Sequence, residues 1–131
     1  MILDSDILIY FLKGRKEIVR EVLKIPQDQL FITRINYTEL LYGAYNSQRV
    51  EKNLQKIVPF LDNFTLLEFD QEASVIFAQQ KAKLKKSGNI IADMDLMIAS
   101  IALANHQPLY TNNVKHFERI EGLSLKTSIS L

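Results

Sequence analysis

The sequence contains no cysteine, which excludes disulfides and thiolate metal sites. The same absence fits a cytoplasmic protein. Histidine is scarce: His106 and His116 stand in unrelated contexts, and both are expected at the surface rather than as ligands. No apolar run approaches the ~18 residues of a membrane span, so no membrane partner is expected. The first residues lack the basic n-region and long apolar h-region of a signal peptide. Linkers, internal repeats and low-complexity segments are also missing. Neither sign of charge dominates, since 16 Lys and Arg against 15 Asp and Glu leave a formal +1. That balance argues against a strongly basic nucleic-acid binder and leaves room for a local patch.

What is present reads as an ordinary globular chain. Its 131 residues, 47% hydrophobic and 24% charged, can bury a core without staples, and one domain over residues 1–131 is the expectation. The opening "MILDSDILIYFLKG" places a short apolar run before Asp4. Ile7, Leu8, Phe11 and Leu12 then follow at helical spacing, with Ser5 or Asp6 as N-cap and Gly14 as terminator. "KEIVREVLKI" is amphipathic, with Ile18, Val19, Val22 and Leu23 on one face, and Pro26 stops it. "LFIT" reads as a buried strand. Helices from about Asn36 to Asn46 and Arg49 to Leu61 come next, then a strand in "FTLLEFD". Asp70 caps a long helix that ends in "KKSGN". "DMDLMIASIALANH" is the most apolar helix, "PLYT" a strand, "NNVKHFERI" a short helical turn, and "LSL" a final strand. Strands alternating with helices predict an α/β fold, a three-layer α/β/α sandwich with a mostly parallel central sheet.

In such sheets ligands bind beyond the carboxyl ends of the strands. Asp4 falls at one such end, and Asn113 lies just past another. Asp93 and Asp95 open the most apolar helix, where Asp93 also reads as an N-cap. Glu39 sits inside "NYTELLYGA" among apolar neighbours, and Gly43, one turn later, leaves room beside it. Taken singly, each has a plain reading as a cap, a turn residue or a solvated helix residue. Several acids at one sheet edge are harder to dismiss, because clustered carboxylates repel and raise one another's pKa. A hard cation removes that cost. Oxygen donors without His or Cys suit Mg²⁺ or Mn²⁺ rather than zinc, and such ions serve in-line phosphoryl chemistry.

Four stretches of the chain resemble, in order, the motifs of the PIN-domain ribonucleases, in particular the VapC-type toxins of toxin–antitoxin pairs. They are "LDSDILIYFLKG", "ITRINYTELLYGA", "ADMDLMIASIALANHQPLYTNN" and "TNNVKHF". The resemblance implies a PIN-like fold and an endoribonuclease that hydrolyses RNA phosphodiesters with metal-activated water. It implies Asp4, Glu39 and Asp95 as metal ligands, and Asp93 and Asn113 as accessory catalytic residues. Ser5 and Thr111 match small hydroxyl positions that support the site. It also implies Mg²⁺ or Mn²⁺ as cofactor, RNA as substrate, a cognate antitoxin as partner, and a homodimer. Asn113 is uncharged, which leaves the number of metal ions open. Lys13, Arg15, Lys16, Lys115 and Arg119 are candidates for RNA phosphate contacts, or else solvated surface charges.

Other readings stay open on sequence alone. One is a PIN-fold interaction domain without catalysis, since fold does not fix function. "LDSD" and "LYTN" also resemble motifs of haloacid-dehalogenase-type phosphotransferases. Against that, Ile7 and Leu8 stand where that family has Gly-Thr, and the acidic pair Asp93 and Asp95 precedes "LYTN" rather than following it.

Overall fold

The apolar residues of each strand divide between two sides. Along β1 (Ile2–Leu3), Ile2 enters one core cluster and Leu3 the other. β2 (Phe31–Thr33), β3 (Thr65–Leu67) and β4 (Leu109–Tyr110) alternate likewise: Phe31, Leu67 and Leu109 face one cluster, and Ile32, Leu66 and Tyr110 the other. This is the two-residue period of a strand buried on both faces. With β5 (Leu125–Lys126) the strands form a sheet in the order β3-β2-β1-β4-β5, parallel throughout. The computed structural model describes residues 1–128, so the last three residues of the expected domain lie outside the described residues.

One face of the sheet is covered by α1 (Ser5–Leu12), α2 (Lys16–Leu23) and α4 (Val50–Leu61), through Ile7, Leu8, Ile18, Val22 and Leu61. α3 (Arg34–Tyr45) adds Leu40 to the same cluster. The opposite face carries α5 (Gln71–Lys86), α6 (Asp93–Ala104) and α7 (Val114–Phe117), through Leu84, Leu96, Ala99, Ala102 and Phe117. The layers and the parallel sheet are those expected. Gly14 closes α1 with φ +76 while its N–H bonds Phe11 O at 3.0 Å, a turn that favours the residue without a Cβ.

Several local expectations change. Leu23 does not join the buried face of α2: it is 72% exposed and lines an apolar groove with Phe11, Ile25, Leu30, Phe60 and Phe64. α3 begins two residues before Asn36, because Thr33 caps it. Gly43 stands on the exposed side of α3, where an added Cβ would meet nothing within 4 Å, so it opens no niche for Glu39.

The chain enters the sheet at its centre. From β1 it moves through β2 to β3, then crosses back to β4 on the other side of β1. The direction of winding therefore reverses between β1 and β4. Beyond their carboxyl ends a crevice opens, because the flanking connections leave in opposite directions.

Candidate active site

Asp4 is the residue on which the chain leaves β1. Its backbone is extended, and its Oδ1 accepts the Ser5 N–H at 2.9 Å, so Asp4 caps α1 rather than Ser5 or Asp6. The carboxylate is buried, with the residue 4% exposed. Across the reversal point, the Thr111 hydroxyl, just past β4, donates to Asp4 Oδ2 at 2.7 Å. From the β2 side, Asn36 Nδ2 donates to Asp4 Oδ1 at 3.2 Å. Asn36 is held by a reciprocal cap: Thr33 Oγ1 accepts the Asn36 N–H at 3.1 Å, and Asn36 Oδ1 accepts the Thr33 N–H at 3.1 Å and its hydroxyl at 2.7 Å. The second amide proton of Asn36 reaches Ser5 Oγ at 3.0 Å, and the Ser5 hydroxyl donates to Glu39 Oε1 at 2.7 Å. Asn36 and Glu39 are three apart on α3 and so share a face. One polar network thus joins Asp4, Ser5, Glu39 and Thr111.

Asp6 belongs beside them. Because Asp4 is the cap, Asp6 lies in the first turn of α1, and its Oδ2 accepts the Asn112 N–H at 3.0 Å. Asn112 Oδ1 in turn accepts the Thr127 hydroxyl and the Ser128 N–H and hydroxyl, each at 3.0 Å. Asp95, in the first turn of α6, meets His116 Nδ1 at 3.0 Å through its Oδ2. Asp93 goes elsewhere. Ala92, not Asp93, occupies the N-cap position, and the Asp93 carboxylate is exposed and paired with Lys81 Nζ at 2.9 Å. Residues two apart on a helix are about 200° apart around its axis, so Asp93 and Asp95 cannot face one crevice together.

Burial pushes the Asp4 carboxyl up from 3.8 to about 7; the Asp6 and Glu39 charges add to this, and the Thr111 and Ser5 hydrogen bonds oppose it. Burial also raises Asp6, with help from the Asp95 charge and against the Asn112 and Ile7 amides. Glu39 is raised by burial first, opposed by the Ser5 hydroxyl and helped by the Asp95 and Asp6 charges. Asp4, Asp6, Glu39 and Asp95 are therefore close enough to feel one another. Among the described residues, no Lys or Arg hydrogen-bonds or ion-pairs with Asp4, Asp6 or Glu39.

An all-oxygen acidic crevice whose acids are driven toward neutrality suits a hard cation. Among the described residues, no three His, Asp or Glu side chains converge as a ready metal cage.

The remaining candidates are spread out. Asn113 is exposed at the start of α7, and its backbone N–H donates to Thr111 Oγ1 at 3.0 Å. Lys13, Arg15 and Lys16 cluster at the far end of α1, about 12 Å along an eight-residue helix from Asp4. There Arg15 pairs with Glu17 and lies 4.4 Å over the Tyr10 ring. Lys115 is exposed on α7, and Arg119 reaches Asn89 Oδ1 at 3.5 Å and Ile90 O at 3.3 Å. Sequence reasoning did not place Asp6, Asn36, Asn112 or His116 at the site. The "DSD" spacing was a visible signal for Asp6; the other three act over long sequence separations and carry no local signature.

A parallel α/β sheet whose carboxylates gather where its winding reverses defines a recognisable class, the PIN domain. The chain belongs to that family, which matches residues 1–123. It is 35% identical over 121 residues to the tRNA(fMet)-specific endonuclease VapC of Shigella flexneri, covering 92% of each chain. It is also 35% identical over 123 residues to ribonuclease VapC1 of Haemophilus influenzae strain R2866, again with 92% of each covered. Among solved structures it resembles the DNA-bound VapBC complex of Salmonella typhimurium, with a TM-score of 0.89, 31% identity and 96% of each chain covered. VapBC-1 of nontypeable Haemophilus influenzae gives a TM-score of 0.86 and 34% identity, with 96% of each chain covered.

Proposed function

We propose that this chain is the endoribonuclease toxin of a toxin–antitoxin pair, hydrolysing RNA phosphodiesters with a divalent cation, Mg²⁺ or Mn²⁺. The observation that carries the reading is the crevice at the β1/β4 reversal, where Asp4, Asp6, Glu39 and Asp95 lie close enough to act on one another's charge and, among the described residues, no lysine or arginine bonds the first three. Relatives named as VapC ribonucleases support it, and the phosphotransferase reading is set aside because the family match runs through nearly all of the chain.

Asp4, Glu39 and Asp95 would hold the ion, with Asp6 beside them. Such an ion, when bound, neutralises charge on the phosphodiester oxygens and activates the attacking water. Thr111 and Asn36 fix the Asp4 carboxylate, and Ser5 fixes Glu39, so that little rearrangement is needed when RNA arrives. Lys115, exposed on α7, would meet the RNA backbone. Arg34, at the start of α3, and Lys81, on Asp93, join it as cations near the carboxyl edge. Lys13, Arg15 and Lys16 sit a helix length away and would contact only a longer RNA. Asn113 stands at the mouth, on the backbone that supports Thr111. RNA as substrate would suit a cytoplasmic protein.

The antitoxin reading rests on the likeness to VapBC complexes. It is supported by the groove of about 450 Å³ lined by Phe11, Leu23, Phe60 and Phe64, which suits the apolar face of a partner helix. Tyr42 and Tyr45, 67% and 63% exposed on α3, are available to a second copy of the chain in a homodimer. The test is expression alone and together with the product of the adjacent small open reading frame. Alone, the chain arrests growth, and RNA fragment sequencing shows defined cut sites. With the partner, growth recovers and the two co-purify. A chain that is harmless and leaves RNA uncut refutes the toxin reading, and a monomer by light scattering refutes the dimer.

A further inference from the structure

α7 is a single turn whose packing is set by Phe117 and the following Ile120, both in the core. The side of the turn away from that anchor touches the acid crevice at two points. At its start, the Asn113 N–H donates to Thr111 Oγ1 at 3.0 Å, and Thr111 donates onward to Asp4 Oδ2 at 2.7 Å. Later in the turn, the His116 N–H bonds Asn113 O at 3.0 Å, and the His116 ring meets Asp95 Oδ2 through Nδ1 at 3.0 Å. The same turn thus supports Asp4 through a hydroxyl and Asp95 through an imidazole, although the two acids lie far apart in the sequence.

The Asp95 contact is asymmetric. A carboxylate accepts and does not donate, so the Nδ1 facing it carries the proton. Oδ2 is thereby occupied, while among the described residues no donor bonds Oδ1. The Asp95 side chain is 22% exposed and close enough to Glu39 and Asp6 to bear on both. Without His116 the carboxylate could rotate about χ2, which is broad for aspartate, and neither oxygen would have a fixed direction. Asp93, two residues earlier, shows the alternative, an acid of the same turn drawn outward by a lysine.

We propose that His116 is a positioning residue for Asp95: it holds one carboxylate oxygen so that the other stays turned to the crevice, and so sets how tightly the site takes a divalent cation. The proposal rests on the reading of Asp4, Glu39 and Asp95 as the cation site. It concerns a residue whose side chain is 57% exposed, so replacing it leaves the core intact.

The experiment is calorimetric titration of the purified protein with Mn²⁺. It compares wild type, His116→Phe, which keeps a planar ring and loses the donor, and His116→Asn, whose Nδ2 is bonded to Cγ as Nδ1 is. Losing an outer partner of a metal ligand costs about 10–100-fold in affinity. His116→Phe should therefore bind Mn²⁺ at least about 10-fold more weakly, and His116→Asn should recover most of that loss. Metal-free melting should be alike in all three. The Mn²⁺ concentration for half-maximal RNA cleavage should rise in His116→Phe by the same factor as the dissociation constant, with a smaller change in the maximal rate. Undiminished Mn²⁺ binding by His116→Phe overturns the proposal, and so does equal weakening in the Phe and Asn variants. Asp4→Asn is the companion measurement. If it too binds Mn²⁺ as wild type does, the cation-site reading has failed. If it loses binding while His116→Phe keeps it, only the role of His116 has failed.

Discussion

Glu21, Glu68 and Glu121 lie on the surface, and each faces a cation: Lys126 and Lys24, Arg34, and Lys83 respectively. Hydrogen bonds from those partners pull all three carboxyls below their ordinary range. Asp4, Asp6 and Glu39 are treated in the opposite way. Their partners are hydroxyls, amides and backbone N–H groups, and burial pushes them upward. The chain has 16 Lys and Arg, so cations are not in short supply; among the described residues none bonds Asp4, Asp6 or Glu39. Neutral donors orient a carboxylate without cancelling its charge. The surface acids are satisfied by the protein itself, whereas the crevice acids are held in place and left to be satisfied by something else.

The largest break in that contrast comes from removing one crevice charge at nearly constant shape. Asp4→Asn should lower RNA cleavage by more than about 100-fold, beyond the range for outer partners of a metal ligand. Without divalent ions at pH 8, however, the variant should melt no lower than wild type, because the group removed is a buried charge that costs stability. A cleavage assay beside a melting curve separates the two effects; wild-type cleavage would break the assignment of Asp4.

The pH dependence sharpens the same point. Asp4 has a folded pKa of about 7 against an ordinary 3.8, so between those values the folded chain holds a proton that the unfolded chain has released. Its cost is absent below 3.8, grows as pH rises through the interval, and is complete above about 7. At pH 8 it is on the order of a few kcal/mol. Metal-free wild type should therefore lose melting temperature relative to Asp4→Asn as pH rises from 4 to 8, and added Mg²⁺ should flatten the difference.

Divalent ion should itself raise the wild-type melting temperature. At about 100 times Kd the stabilisation is about 2.7 kcal/mol, or roughly 5–15 °C for a domain of this size. Glu39→Gln should shrink the shift, and an equal shift in a variant lacking Asp4, Glu39 and Asp95 would place binding elsewhere. The smallest effect belongs to the surface. Glu121→Gln should leave melting nearly unchanged, since exposed ion pairs contribute little, and the result should be the same with and without Mg²⁺.

How far the site could be read in advance differed residue by residue. Asp4 was legible because an apolar run ended on an acid, and a parallel sheet gathers strand ends at one edge. Glu39 and Asp95 had only weak local marks, an apolar flank with Gly43 beside it and a first-turn position, and the family motifs singled them out as ligands; the Gly43 niche is absent. Ser5 or Asp6 as cap sets the start of α1 one or two residues late, and that offset decides whether Asp6 faces the crevice or closes the helix. Asn36 and Asn112 contribute through bonds spanning 32 and 106 residues, and an asparagine in a first helical turn or a loop looks the same whether or not it does this. His116 looked like a surface residue because most of its ring is one; only the packing of α7 on α6 brings Nδ1 to Asp95. Leu23 kept helical spacing yet stayed exposed, since periodicity tells which side of a helix is apolar and not what covers it.

The central position of β1 has a consequence for synthesis. Asp4 is made well before the Thr111 hydroxyl that holds it, which lies 107 residues further along. At roughly 5–20 residues per second, the ribosome takes on the order of 5–20 s to cover that distance. For most of that interval the nascent chain carries Asp4, Asp6 and Glu39 with neither β4 beside β1 nor the turn that supports Asp95. A prematurely ended chain would hold most of the acids and no crevice. The order of the strands therefore leaves the crevice unassembled until β4 has been made.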